Sequence, residues 1–199
     1  MRHSGIDILG DIAWGTHFCL FYETTPDLLE TLAAYCKAGL EHQELCLWIV
    51  APPVTEDDAR QALRSIVPDL DRYLADGSLE FCHAGDWYLP TGGFDVERTL
   101  HTCDDMAARG LAKGYAGFRI TGDTAWLEQK HWKGFCEYEH LLNDACANQR
   151  VAILCTYPLG AWGAPEVLDV MRTHEFAIAR RRGWSGNTCG SWATAGRWR

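Results

Sequence analysis

The chain has 199 residues, of which 47% are hydrophobic and 23% charged, a size and composition that fit one globular domain and leave little for a second. Its formal net charge of -9 argues against an extended nucleic-acid-binding face, because such a face needs basic residues to neutralise phosphates. The stretch from Met1 to Gly10 is unlike a signal peptide, and no apolar run approaches the roughly 20 residues that span a bilayer, so we expect a cytoplasmic protein without membrane contact.

The first half of the chain predicts strands alternating with capped helices. Thr25 and Pro26 open the first helix as N-cap and first helical residue, and Gly39 is its expected stop. Thr55 to Asp58 resembles a capping box, which starts a second helix that Pro68 ends. The predicted strands of this half are His17 to Tyr22, Leu45 to Val50 and Leu79 to Ala84.

The second half continues the same alternation. The predicted helices cover Val96 to Ala107, Trp132 to Cys146 and Pro165 to Thr173, and the predicted strands are Phe118 to Thr121, Val151 to Tyr157 and His174 to Arg180, the last at a sheet edge. This order predicts an α/β fold, a single domain with a mostly parallel sheet and helices on both faces. We divide the chain into an N-terminal extension (1–12), the domain itself (13–183) and a C-terminal tail or linker stub (184–199).

The first strand lacks a phosphate-binding loop. It runs into Tyr22-Glu23-Thr24-Thr25-Pro26-Asp27, where a nucleotide-hydrolysing protein of this architecture has a glycine-rich loop ending in Lys-Ser/Thr. Without glycines the backbone does not wrap phosphates, and Glu23 and Asp27 would repel them. We therefore expect a degenerate phosphate-binding loop, no catalytic residues and no enzymatic activity.

Ligands of open parallel sheets bind outside the carboxyl ends of the strands, and several polar and aromatic residues follow the predicted strands here. These residues either line a small-molecule pocket or are polar only because loops begin at strand ends. Trp87 and Trp126 either form a lid over a ligand or cover the edge of the sheet. The candidate ligand-binding residues are Tyr22, Glu23, Trp87, Tyr88, Arg119, Thr121, Asp123, Trp126, Glu137 and Tyr157.

Arg119 lies inside a predicted strand, where a guanidinium is costly unless it is paired. Its candidate partners are Asp123 and either Glu137 or Glu139. The pair is either a structural ion pair under the sheet, or Arg119 anchors an anionic or carbonyl group of a ligand.

Cysteine and histidine are plentiful, with nine Cys and eight His, but their spacing does not match a zinc site. His17-x-Cys19, Cys82-His83, His101-x-Cys103 and His140-x5-Cys146 include no CxxC pair. We therefore expect reduced, buried thiols, no metal site and no cofactor.

Nine stretches together resemble the MEDS sensory domain (methanogen/methylotroph, DcmR sensory). They are His17–Thr24, Ala38–Glu41 with Leu45–Trp48, Pro68–Tyr73, Trp87–Leu89, Arg119–Leu127, Glu137–Glu139, Cys155–Tyr157 and His174–Ala177. The resemblance implies a RecA-like sheet that has lost its phosphate-binding loop, and a sensory role with small hydrocarbon-derived or methylated compounds as proposed ligands. It also implies an effector beside the sensor, of the histidine kinase, anti-sigma or helix-turn-helix type.

The function predicted from these observations is a non-catalytic, ligand-sensing module of signal transduction or transcriptional regulation. Its partners would be a small molecule and a signalling protein or fused effector domain, without direct nucleic-acid contact, and a homodimer is among the assemblies left open. Two alternatives remain: a protein-interaction scaffold on an inactive ATPase-like fold, and a metal- or haem-binding sensor.

Overall fold

The computed structural model describes residues 1–181 and 191–195. The strands are β1 (Arg2–His3), β2 (Asp11–Ile12), β3 (Thr16–Tyr22), β4 (Leu45–Val50), β5 (Leu79–His83), β6 (Phe118–Asp123), β7 (Val151–Pro158), β8 (Ala177–Arg181) and β9 (Ser191–Ala195). The α-helices are α1 (Thr25–Glu41), α2 (Glu56–Arg64), α3 (Leu70–Ala75), α4 (Ala84–Tyr88), α5 (Val96–Ala112), α6 (Trp132–Cys146) and α7 (Ala164–Thr173), and a 3-10 turn spans Gln129–His131.

Seven strands form one sheet in the order β5-β4-β6-β7-β3-β8-β9, and β1 pairs with β2 in a separate hairpin. All neighbours in the large sheet are parallel except β8 and β9. Every residue of β3, β4 and β6 is buried, because helices cover both faces. The predicted α/β architecture with a mostly parallel sheet is therefore present.

Two hydrophobic cores lie on opposite faces of this sheet, and β4 shows the alternation clearly. Leu45, Leu47 and Ile49 pack on the face covered by α5 and α6, whereas Trp48 and Val50 pack on the face covered by α1 and α2. Successive side chains of a strand therefore belong to different cores, and this holds for the residues at the carboxyl ends of the strands as well.

The prediction that the strand near residue 180 lies at a sheet edge is wrong. β8 pairs on one side with β3 and on the other with β9, so β9 forms that edge. Residues 191–195 of the predicted tail thus belong to the sheet, and 182–190 and 196–199 lie outside the described residues. At the other end of the chain, Ile6 and Ile12 of the predicted extension enter the core beside α1.

Helix α1 differs from its prediction at both ends. The N-cap is Thr24 rather than Thr25, and the helix continues past Gly39 to Glu41. A Cβ at Gly39 would lie 2.8 Å from Cδ of Arg119, so this glycine allows close packing and does not end the helix. The predicted capping box of α2, at Thr55, is present.

No described helix combines the length and apolar character needed to cross a bilayer. The described cysteines are free thiols and most of them are buried, as the sequence predicts.

Candidate functional site

The carboxyl ends of β3, β6 and β7 meet at the buried carboxylate of Asp123. Oδ2 accepts hydrogen bonds from Tyr22 Oη at 3.1 Å and from Thr156 Oγ1 at 2.8 Å, and Oδ1 accepts one from the backbone N–H of Ala125 at 2.8 Å. Burial raises the pKa of Asp123 to about 6, although these three hydrogen bonds act to lower it. The edge of the sheet therefore contains a carboxyl group whose charge changes at mildly acidic pH.

An aromatic group occupies the same edge on the other face of the sheet. Its members are Tyr88, Phe94, Trp126, Phe135 and Tyr138. The rings of Tyr88 and Trp126 are stacked, with centroids 4.6 Å apart, and the hydroxyl of Tyr88 reaches β6 at Gly122. A Cβ at Gly122 would lie 2.5 Å from that hydroxyl oxygen, so only glycine leaves room for it. These contacts hold apolar ring faces at the end of β6.

Two indole N–H groups near this aromatic group have no hydrogen-bond partner among the described residues. They belong to Trp87 and Trp126, and both nitrogen atoms are buried. Trp87 itself is 5% exposed and lies on α4, directly before Tyr88. A buried donor without an acceptor costs about 1–3 kcal/mol, so an acceptor supplied at this place would stabilise the protein.

The candidate residues predicted from the sequence are divided between the two faces. Tyr22 packs with the core beside α1 and α2, whereas Trp87, Tyr88 and Tyr157 pack with the core beside α5 and α6. Strand alternation puts Thr121 and Asp123 on the α1 side. The structure thus brings the predicted residues to one edge of the sheet, but as two groups and not as one.

Arg119 is far from that edge, and the partners predicted for it are wrong. Its Nε donates to Glu44 Oε2 at 2.6 Å and its Nη2 to Glu44 Oε1 at 3.2 Å, whereas Asp123, Glu137 and Glu139 are not its partners. Both side chains of the pair are fully buried. The remaining donors reach backbone carbonyl oxygens of His3, Ser4 and Tyr35. The prediction failed because Glu44 precedes a different strand, β4, which only the sheet order places beside β6.

Two other predicted residues are exposed. Glu23 follows β3 directly, and Glu137 lies on the outer side of α6, whose buried face contains Phe135, Tyr138 and Glu139. A groove of about 580 Å³ lies elsewhere, between α1 and α2, and none of the predicted site residues lines it.

The N-terminus of α1 is occupied by the protein's own carboxylate. Asp27 is fully buried, its backbone N–H donates to Thr24 Oγ1 at 3.3 Å, and Thr24 Oγ1 donates to Asp27 Oδ2 at 2.5 Å. Arg180 of β8 approaches Asp27 Oδ1 at 3.8 Å. Phosphate-binding proteins use this helix end for an anion of the ligand. Here a buried acidic residue lies in the first turn of the helix and no glycine-rich loop precedes it, in agreement with a degenerate phosphate-binding loop.

The structure also assembles four residues that sequence reasoning did not group. His17 of β3, Glu139 of α6, Cys155 of β7 and His174 before β8 are all buried, and one ligand atom from each lies within 4.8 Å of the others. Burial opposes ionisation of Glu139, but the two imidazoles lower its pKa below the ordinary value, and burial raises the pKa of Cys155. No short motif reveals this group, because its members come from four separate elements.

Residues 16–175 match the family described as MEDS: MEthanogen/methylotroph, DcmR Sensory domain. The chain belongs to the MEDS family. The resemblance read from the sequence is thereby confirmed, and the MEDS domain has a sensing role in signalling. No curated protein matches the chain.

Solved structures confirm the RecA-like fold of this MEDS domain. A KaiC-like protein from the hyperthermophilic archaeon Pyrococcus horikoshii OT3 superposes with a TM-score of 0.67 at 17% identity, over 98% of this chain and 86% of that chain. The flagellar accessory protein FlaH from Methanocaldococcus jannaschii has the same TM-score, 0.67, at 10% identity, over 98% of this chain and 87% of its own. At these identities the likeness shows the fold alone.

Proposed function

We propose that this MEDS domain is a non-catalytic sensory module that binds a small organic metabolite, hydrocarbon-derived or methylated, at the carboxyl edge of its sheet. The observation on which the proposal rests is the aromatic group at Gly122, flanked by the unpaired indole N–H groups of Trp87 and Trp126. Apolar walls with a few directed polar groups are typical of small-molecule sites.

The chemistry of the edge supports a small and weakly polar ligand. Ring faces of Tyr88 and Trp126 favour apolar or methylated groups, and the buried indole N–H donors favour an acceptor atom, such as a carbonyl or ether oxygen. A phosphate-bearing ligand is disfavoured, because the buried acidic residue Asp27 lies in the first turn of α1. This supports a sensor without nucleotide hydrolysis.

The signal would pass to a signalling protein or a fused effector domain of the histidine kinase, anti-sigma or helix-turn-helix type. A ligand shifts the balance between two arrangements only if it binds one of them more tightly. Trp87 and Tyr88 lie on the short helix α4, and Trp126 lies on the connection that follows β6, so α4 and this connection are the segments that a bound ligand would hold in one arrangement.

Intrinsic fluorescence and thermal unfolding of the full chain test the proposal with a panel of small hydrocarbon-derived and methylated compounds. A binding compound should raise the melting temperature and change the tryptophan emission. Trp126→Phe should abolish the emission change, whereas Trp14→Phe should retain it, because Trp14 packs on Gly117 before the start of β6, at the opposite edge. A panel without any thermal shift, or an equal loss in both variants, would contradict the proposal.

The same experiment separates the sensor from the interaction scaffold. A scaffold would give no response to any compound and would co-purify with its signalling partner, whose binding would not depend on Trp126. A sensor would bind its compound without the partner present.

A further inference from the structure

We propose that His17, Glu139, Cys155 and His174 form a binding site for one divalent transition-metal ion, with Zn²⁺ as the ion that best suits it. This site lies between the sheet and α6, below the carboxyl edge, and it is separate from the proposed ligand site. Neither the family match nor the fold assigns it.

The distances within the group fit four-coordinate binding. His17 Nε2 lies 3.0 Å and His174 Nε2 3.2 Å from Glu139 Oε2, and His17 Nε2 lies 3.4 Å from Cys155 Sγ. A tetrahedral zinc ion with bonds of about 2.0–2.3 Å holds its ligand atoms roughly 3.3–3.7 Å apart. To admit the ion, these three close pairs would open by at most a few tenths of an ångström, and pairs near the 4.8 Å limit of the group would close by about 1 Å.

The hydrogen bonds of His174 orient a lone pair into the group. His174 Nδ1 lies 2.7 Å from the backbone carbonyl oxygen of Val170, which only accepts, so Nδ1 bears the hydrogen. In the neutral ring Nε2 is then an acceptor, and it faces an oxygen of Glu139 at 3.2 Å. Two acceptors at this distance repel each other unless a proton or a cation lies between them. A carbonyl bound to the distal N–H is the usual support of a metal-ligating histidine.

The charges and the donor atoms of the group favour a divalent transition-metal ion. All four side chains are buried, so any net charge among them would be costly. A carboxylate from Glu139 and a thiolate from Cys155 together neutralise a divalent ion, with both histidines neutral. Nitrogen and sulfur donors exclude Mg²⁺ and Ca²⁺, which prefer oxygen, and the closed set of four suits Zn²⁺. The competing arrangement is a metal-free ion pair of Glu139 with a protonated His174.

Metal incorporation during synthesis tests the site, because the buried group is accessible while the chain folds. The full chain is produced in minimal medium supplied with Co²⁺, and its bound metal and absorption spectrum are measured. We expect one Co²⁺ per chain, with d–d bands of tetrahedral intensity and a thiolate-to-cobalt charge-transfer band. Cys155→Ser should lose the charge-transfer band, and Cys82→Ser, which changes a half-buried thiol on β5 outside the group, should retain it.

X-ray absorption at the zinc edge of the wild-type protein gives a second test that needs no variant. We expect a first shell with one sulfur at about 2.3 Å and three nitrogen or oxygen atoms at about 2.0–2.1 Å. Folded wild-type protein without stoichiometric metal, a first shell without sulfur, or a charge-transfer band that persists in Cys155→Ser would overturn the proposal. A metal-free protein would leave the compound-binding tests unaffected, so the two proposals fail independently.

Discussion

The ring of Tyr157 meets the imidazole of His174 edge-on, with ring centroids 5.8 Å apart. Tyr157 is near the carboxyl end of β7 and shares a strand face with Cys155, two residues earlier. One fully buried side chain thus joins the candidate ligand edge to the buried histidine, cysteine and glutamate group. This contact places Tyr157 against the buried group, whereas Tyr88 and Trp126 of the proposed ligand site stack on one another.

We expect Tyr157→Phe to weaken binding of a responsive compound about tenfold, because the buried Tyr157 hydroxyl has no hydrogen-bond partner among the described residues and one hydrogen bond to the compound would be worth about 1.4 kcal/mol. The ring and its packing remain, so the melting temperature should change little. Titration of tryptophan fluorescence gives the affinity. Tyr35→Phe is the matched control, since this hydroxyl is also buried but lies beside Arg119 on the other face. Equal affinities in wild type and Tyr157→Phe would exclude the hydroxyl from the site.

Arg119→Met is expected to lower the free energy of unfolding by about 3 kcal/mol, the lower end of the range for a broken buried ion pair, because Glu44 would lose its bidentate partner and keep only the bond from Arg2 Nε at 2.8 Å. Urea denaturation followed by circular dichroism measures the loss. Arg64→Met removes a surface pair with Asp71, whose side chains are 57% and 82% exposed, and should change stability by less than about 1 kcal/mol. A small effect of Arg119→Met would show that the pair is not a structural element.

Asp123 should make the protein less stable as the pH rises from about 4 to about 6. Burial raises its pKa from an ordinary 3.8 to about 6, so within this window the folded protein keeps a proton that the unfolded chain has released. The unfolding free energy then falls with increasing pH, by about 3 kcal/mol across the window. Asp123→Asn removes this contribution, so the unfolding free energy of the wild type should fall relative to that of Asp123→Asn as the pH rises.

The measurement for Asp123 is urea unfolding at several pH values, expressed as the difference between each variant and the wild type. Asp144→Asn, at an exposed position of α6, is the surface control. A difference between Asp123→Asn and the wild type that does not change with pH would contradict the raised pKa of Asp123.

Gly122→Ala should destabilise the protein by about 1–3 kcal/mol, because the new methyl group would lie 2.5 Å from the Tyr88 hydroxyl oxygen. The stack of Tyr88 on Trp126 has to move, so tryptophan emission should shift even without a ligand. Gly85→Ala is the control: no atom lies within 4 Å of its Cβ position, and alanine favours the helix α4. Unchanged emission in Gly122→Ala would mean that the stack does not depend on this glycine.

Much of the fold follows from local patterns. The apolar runs of β3 and β4 and the capping box at Thr55 depend on residues within a few positions of one another, and all three were predicted correctly. The prediction that Gly39 ends helix α1 was wrong for a different reason. Its role is a contact with Arg119, which no helix-stop pattern contains.

The sequence by itself determined the alternation of strands and helices, the family, and the missing phosphate loop, because each is expressed in contiguous residues. Only the tertiary structure decided that Arg119 pairs with Glu44 and that His17, Cys155 and His174 surround Glu139. These contacts join residues far apart in the chain, and they depend on the strand order β4-β6-β7-β3-β8. That order results from packing the whole sheet between its helices, and no local segment specifies it.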